Sequence, residues 1–157
     1  MAKKSSKQKD IEVVNRKARF EYHFVDKLEA GIMLVGTEVK SVRLGQVNMS
    51  DAYCTLHEGE LYIHSLYIAE YQFANRFNHE TRRKRKLLIK KNELKRLDRR
   101  VREKGFTIVP YRLYITDRNK IKVEIALAQG KKSYDKRNTI KEREAKRDLN
   151  RLNKIKL

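Results

Sequence analysis

The sequence predicts a mainly β protein with inserted helices: a small closed antiparallel barrel followed by a basic tail. Three observations predict it. Short runs rich in β-branched and aromatic residues recur along the first 130 residues, separated by turn-forming residues. Helical spacing interrupts them at only two places, near residues 36–45 and 92–104. Apolar density then falls away after Gly130, and residues 131–157 carry 11 Lys or Arg against 4 Asp or Glu.

Residues 1–11 are polar and basic and are expected to be disordered. The run FEYHFV alternates Phe20, Tyr22 and Phe24 with Glu21, His23 and Val25, the period of a strand. GTEVKSVRLG follows, where Thr37 can cap a short helix whose buried face holds Val39 and Val42. AYCTLH and ELYIHSLYI flank Glu58 and Gly59, which predicts a tight hairpin. Residues 69–86 lose apolar density and become basic, with Leu87–Ile89 as a separate short element. Asn92 is positioned to cap a helix carrying Leu94, Leu97 and Val101 at +3 and +4, which Gly105 ends. FTIVPYRLYIT and KIKVEIALA read as two further strands joined by DRNK, and Pro110 demands an edge or a bulge. In the tail, Ala145, Leu149 and Leu152 form a stripe too narrow to bury a helix, so residues 131–157 are expected to be disordered when free and helical against a partner. Five or six short antiparallel strands with inserted helices point to a barrel of the oligonucleotide-binding type over residues 12–130, with a split α+β sandwich as the alternative.

Charge narrows the partner. The 157 residues hold 39 Lys or Arg and 20 Asp or Glu, a formal net charge of +19. Such a field favours a polyanion, nucleic acid before an anionic membrane surface. The apolar runs are too short to span a bilayer and the N-terminus lacks a secretory pattern, which predicts a cytoplasmic protein with no membrane partner. A single cysteine, Cys54, permits no internal disulfide. The four histidines show no metal spacing, and no nucleophile elbow or phosphate-binding loop occurs, so no metal, no cofactor and no catalytic residue is assigned. Pairings such as Asp51 with Glu58, or Glu38 with His23, carry little weight.

Two basic segments stand out. Residues 82–104 hold 13 Lys or Arg, and the five consecutive cations from Arg82 to Lys86 repel one another unless an anion relieves them. In residues 15–24, Arg16, Lys17 and Arg19 adjoin Phe20, Tyr22, His23 and Phe24. Cations interleaved with aromatics suit RNA, where phosphates and open base faces coexist.

Several strings then converge on one family. NRKARFEYHF, EAGIMLVGTEVKSVRLGQVNMSDAY, GELYIH, NHETRRKRKLLI, KGFTIVPYRLYI and GKKSYDKRNTIKERE resemble the SsrA-binding protein (small protein B) family across roughly residues 12–144. The resemblance implies a non-enzymatic RNA-binding adaptor of ribosome rescue. Such an adaptor binds the tRNA-like domain of transfer-messenger RNA, travels with elongation factor Tu through the shared RNA, and occupies the decoding centre of a stalled ribosome. Its tail enters the empty mRNA channel. Asn15, Tyr22, Glu29, Leu88, Lys90 and Lys122 match positions that the family uses on transfer-messenger RNA; Arg16, Lys17, Arg19, Lys131 and Lys132 complete the expected RNA-binding set. Tyr134, Asp135, Lys136 and Arg137 match the part of the tail placed at the decoding centre, and Ile140, Lys141 and Glu142 the part that follows into the channel. Glu70 and Thr81 stand where many members have proline, and Lys90 where others have His or Asn, which removes an acceptor from that position. A structural ribosomal protein or a general RNA-binding protein is the alternative reading, and a nuclease with a basic groove lacks a site to support it.

Overall fold

The computed structural model describes residues 11–155; the expectation of disorder over residues 1–11 lies outside the described residues except at Ile11, whose carbonyl instead accepts from the Ile115 N–H at 3.3 Å. β1 (Glu12–Val14) leads into α1 (Arg16–Glu21), β2 (Tyr22–Ile32) and α2 (Gly36–Arg43). β3 (Val47–Asn48), β4 (Tyr53–His57), β5 (Glu60–His64), β6 (Tyr67–Ile68) and β7 (Arg85–Leu88) follow. α3 (Lys91–Lys104), β8 (Thr107–Ile115), β9 (Ile121–Gly130) and α4 (Ser133–Ile155) complete the chain.

The large sheet runs β1-β8-β4-β5-β7-β2-β9, and β9 pairs back onto β8, so the ladder closes on itself as a ring of strands. All of its pairings are antiparallel. The long ladders are β2–β9, from Tyr22↔Gly130 to Gly31↔Lys122, and β8–β9. The ring closes weakly at β4–β8, where Cys54↔Ile108 is the register pair. β3 and β6 form a separate small sheet.

Local chemistry explains the turns. Glu58 (φ 50°) and Gly59 (φ 71°) are both left-handed, as a two-residue turn matched to the twist of β4 and β5 requires. Gly105 ends α3 in the left-handed region, its N–H donating to the Val101 carbonyl. The β8–β9 register shifts between Pro110 and Arg112, so the proline sits at a bulge. A second bulge between Phe24 and Asp26 leaves Val25 outside the β2–β9 register and half exposed.

The core fills the ring. Ala30, Leu61, Ile63, Leu87, Leu113, Val123, Ile125 and Leu127 project inward at alternate strand positions. Leu97 of α3 is 2% exposed within the same cluster, so this strongly basic helix is held by one apolar edge formed with Leu94 and Val101. Truncating Leu97 to alanine would cost about 2–5 kcal/mol. Val42 brings α2 into the core beside Leu66 and Ile68.

Three local expectations are revised, the first being the cap of α3, which is Lys90 and not Asn92, since Asn92 lies inside the first turn. FEYHFV is not one strand: Phe20 and Glu21 end α1, and β2 starts at Tyr22. Asn15 makes the difference. Its Oδ1 accepts from the Ala18 N–H, and its Nδ2 donates to the Met49 and Pro110 carbonyls. A six-residue helix is unstable alone, but Ala18 packs it onto Val109, Tyr111, Ala126 and Ala128 outside the ring. Thr37 is not the cap of α2; the chain enters that helix at Val35, whose N–H donates to Glu38. Residues 133–155 of the tail form one helix, with every described side chain from Lys141 onward exposed.

Candidate nucleic-acid interface

The expected RNA-binding residues fall into two groups at opposite ends of the β2–β9 ladder. At the first end, Glu29 pairs across to Glu124 and Gly31 to Lys122, so Glu29 and Lys122 lie on one outward face. Lys122 Nζ donates to Glu29 Oε1 at 2.8 Å, and the Tyr114 hydroxyl donates to Glu29 Oε2. Hydrogen bonds from Lys122 and Tyr114 hold the Glu29 carboxyl below the usual carboxylate range. Burial and the hydrogen bond to Glu29 push the Tyr114 phenol up to about 12. At neutral pH Glu29 is therefore a carboxylate that aims a lysine and a tyrosine, rather than a group facing phosphate alone.

Leu88 is 50% exposed and lies over Gly31, where an added Cβ would meet Leu88 Cβ at 3.3 Å. It forms the ridge between two depressions of about 460 Å³ each. One is lined by Glu29, Ile89, Lys90 and Glu93, the other by Ile32, Leu34, Val39, Lys120 and Ile121, with Leu88 and Lys122 in both. Beside them the Arg112 guanidinium lies 4.5 Å from the Tyr114 ring centre, held by Glu12 at 2.6 Å and Glu124 at 2.9 Å. The face offers cations for phosphate, an apolar ridge for a base or sugar, and one oriented carboxylate.

The second group gathers where Tyr22 pairs with Gly130. Arg16 and Arg19 project from α1 into solvent, while Lys17 turns to Asp51 at 3.4 Å. Tyr22 is half-buried against the small α1 cluster. The Lys131 N–H donates to the Glu21 carbonyl at 2.8 Å and its ammonium to the Arg19 carbonyl at 3.4 Å, with Lys132 exposed beside it. The first turns of α4 rest on this corner. Asp135 lies 3.5 Å from His23, and Arg143 lies 5.9 Å from the Phe20 ring centre. Tyr134 is 60% exposed; Lys136 is half-buried, and Arg137, Ile140, Lys141 and Glu142 are exposed. Asn15 is buried and its side chain is committed to the fold, since it caps α1 and ties it to two carbonyls.

The basic run 82–86 is corrected by the structure. Its relieving anions are the protein's own carboxylates. Glu38, fully buried, accepts Arg83 Nε at 2.8 Å and Nη2 at 2.6 Å, and Arg85 Nε at 2.7 Å. Burial opposes the charge on Glu38, but hydrogen bonds from Arg83, Val35 and Arg85 outweigh it and hold its pKa below the ordinary value. Arg85 is itself fully buried and also donates to the Leu66, Arg83 and Thr81 carbonyls. Lys86 pairs with Glu60, Arg82 reaches Asp51 at 3.7 Å, and Lys84 lies 4.0 Å from the Tyr62 ring centre. Sequence reasoning could not find this network, because 45 and 47 residues separate Glu38 from its arginines. Its one local trace is Glu38 itself, which shares the buried face of α2 with Ser41 and Val42.

Two of the remaining histidines have structural partners. His79 bridges Thr37 at 2.9 Å and the Ile68 carbonyl at 3.1 Å. His64 pairs with Thr55 at 2.8 Å and stacks on Tyr53, and burial followed by Lys84 lowers its pKa. Burial pushes the Cys54 thiol far up, so it is an inert apolar group. Among the described residues no cluster of His, Cys, Asp and Glu could hold a metal ion, and no helix is long and apolar enough to cross a membrane.

Comparison with known proteins gives this geometry its context. The sequence model of the family described as "SmpB protein" matches residues 12–155. The SsrA-binding protein of Desulforamulus reducens is 50% identical over 153 residues, covering 96% of this chain and 95% of its own length. That of Symbiobacterium thermophilum is 55% identical over 137 residues, 87% of each chain. A solved structure described as "tmRNA-SmpB: a journey to the center of the bacterial ribosome" matches with a TM-score of 0.66 at 46% identity, covering 78% of this chain and 86% of the other.

Proposed function

Since the chain belongs to the SmpB protein family, we infer that it is a transfer-messenger RNA-binding adaptor of trans-translation, whose partners are that RNA and the ribosome. The observation that carries this reading is the match to a tmRNA–SmpB structure at 46% identity with the same fold. Catalysis plays no part in the protein's role: peptide-bond formation and tagging belong to the ribosome and the RNA. On this reading the strand ring is an oligonucleotide-binding type of barrel, elongation factor Tu joins through the shared RNA, and the protein works in the cytoplasm.

The face of Glu29, Leu88, Lys90 and Lys122 is the seat of the tRNA-like domain in this proposal. Lys122 meets phosphate, Glu29 fixes its direction, and Leu88 packs on a sugar or base edge. Asn15 acts through α1, setting the direction of Arg16 and Arg19. The second corner carries the tail to the decoding centre. There Tyr134 stacks on an rRNA base, Lys136 and Arg137 meet phosphate, and Ile140, Lys141 and Glu142 line the start of the mRNA channel. The helix α4 has one thin apolar stripe and no core beneath its later turns, so its order depends on the anionic channel wall. The test is to recover the protein from a bacterial lysate and sequence the RNA that accompanies it. Enrichment of one tRNA-like RNA is expected; an RNA sample matching the whole lysate would overturn the adaptor reading, and stoichiometric ribosomal subunits surviving a high-salt wash would favour an integral ribosomal protein.

A further inference from the structure

Between β6 and β7 the chain forms a loop with the sequence Tyr71-Gln72-Phe73-Ala74-Asn75-Arg76-Phe77-Asn78. Phe73 is 79% exposed and Phe77 86%, more than any other large apolar side chain among the described residues. Each ring leaves in water a surface that an ordinary core would bury. The loop is nonetheless built. Asn78 Oδ1 accepts the Tyr71 N–H and Asn78 Nδ2 donates to the Tyr71 carbonyl, closing its base. The Ala74 N–H donates to the same carbonyl at 3.0 Å. Tyr71 meets Phe73 edge to face at 5.7 Å, and Lys40 of α2 lies 5.1 Å from the Tyr71 ring centre. His79, the next residue, is fastened to Thr37 of α2. A framed loop that holds two aromatic faces out to solvent has already met part of the ordering cost of binding.

We propose that this loop is a second RNA contact, which takes unpaired nucleotides by stacking their bases on Phe73 and Phe77. The proposal rests on the adaptor reading only in taking RNA as the partner. The chemistry of the loop favours that occupant. Arg76 stands between the two phenylalanines in sequence, Lys40 lies over the Tyr71 ring that Phe73 meets, and residues 71–78 contain no carboxylate. The Gln72 and Asn75 amides can donate to and accept from base edges. Aromatic side chains with interspersed cations and amides bind splayed single strands, whereas a duplex offers no free base faces. A second copy of the chain is disfavoured by a net charge of +19 on each molecule. The loop shares no residue with the depressions beside Leu88, so the two contacts can be occupied together.

The test uses the full chain and a fluorescent oligouridine of about a dozen nucleotides, with an RNA duplex of equal length and a tRNA-like RNA as companions. The parent should bind the single strand more tightly than the duplex. F73A/F77A should lose roughly ten-fold or more of single-strand affinity while keeping the parent's thermal midpoint and duplex affinity. F73Y/F77Y should retain binding; F73L/F77L should not, because it keeps apolar bulk without a stacking face. Single-strand affinity within about two-fold of the parent in F73A/F77A would overturn the proposal, as would full retention in F73L/F77L. Self-association of the parent that the alanine variant abolishes, seen by sedimentation, would reassign the loop to a protein interface. Failure of the parent to bind the tRNA-like RNA would instead count against the adaptor reading, independently of the loop.

Discussion

Replacing Glu38 by glutamine removes the one negative charge shared by Arg83 and Arg85. The shape of the site is kept, but the introduced amide nitrogen confronts guanidinium donors that it cannot accept from. Arg85 is fully buried, so its charge has no solvent to turn to. Breaking a buried pair by removing one partner costs about 3–5 kcal/mol. Arg85 keeps its bonds to the carbonyls of Leu66 at 2.6 Å, Arg83 at 3.1 Å and Thr81 at 3.2 Å, which places the loss at the lower end. For a chain of this length, about 3 kcal/mol lowers the thermal midpoint by roughly 6–12 °C. Acid titration gives a second readout. Glu38 titrates below its ordinary value of 4.5, so the unfolded chain binds its proton first as pH falls. Its contribution is complete above about pH 4.5 and fades as pH drops through the folded-state pKa. E38Q should lack that portion of the acid limb. Calorimetric melting across pH 3–7, on parent and E38Q, measures both. A midpoint within about 2 °C of the parent, with an unchanged acid limb, would falsify the claim that this carboxylate holds the 79–86 segment to α2.

Glu29→Ala should weaken binding to the tRNA-like RNA about ten-fold, the scale of one charge-assisted hydrogen bond of about 1.5 kcal/mol, while non-specific RNA binding stays level or rises as Lys122 is released; equal affinities in gel shifts with both RNAs would count against the oriented pair. Deleting residues 131–157 should leave that RNA affinity nearly intact and abolish peptide tagging on ribosomes stalled at an mRNA end; near-normal tagging would reduce the tail to a solvated extension. Gly105→Ala should cost about 1 kcal/mol in urea unfolding, because the backbone stays left-handed at φ 62° while open space surrounds the new methyl. A neutral result there would mean that α3 ends another way.

Much of the architecture was legible because its signals are local. Glu58-Gly59 sets a turn between strands that begin and end beside it, and Gly105 stops a helix whose apolar edge is spaced at +3 and +4. Pro110 lacks an N–H, so its bulge could be anticipated without knowing its partner strand. What stayed hidden depended on distant residues. α1 exists because Asn15 reaches Met49 and Pro110, and nothing in the alternation of FEYHFV reports that. The cations at 82–86 read as a phosphate clamp until Glu38 is placed among them. Glu29 and Lys122 came from a family resemblance; their contact spans 93 residues and has no local trace. Phe73 and Phe77 leave no sequence signal, because their surroundings are so polar that two rings hardly raise the apolar density.

The β2–β9 ladder also has a mechanical consequence. Lys122 and Gly130 stand at its two ends, and eight strand steps at about 3.3 Å separate them by roughly 26 Å. On the proposed function, a load between RNA at Lys122 and a tail anchored beyond Gly130 runs along the covalent backbone of β9, which the ladders to β2 and β8 brace on either side. The ladder is therefore a stiff strut of fixed length. Movement of one grip would be transmitted to the other rather than absorbed, so the spacing between the two proposed contacts is set by the number of residues in β9.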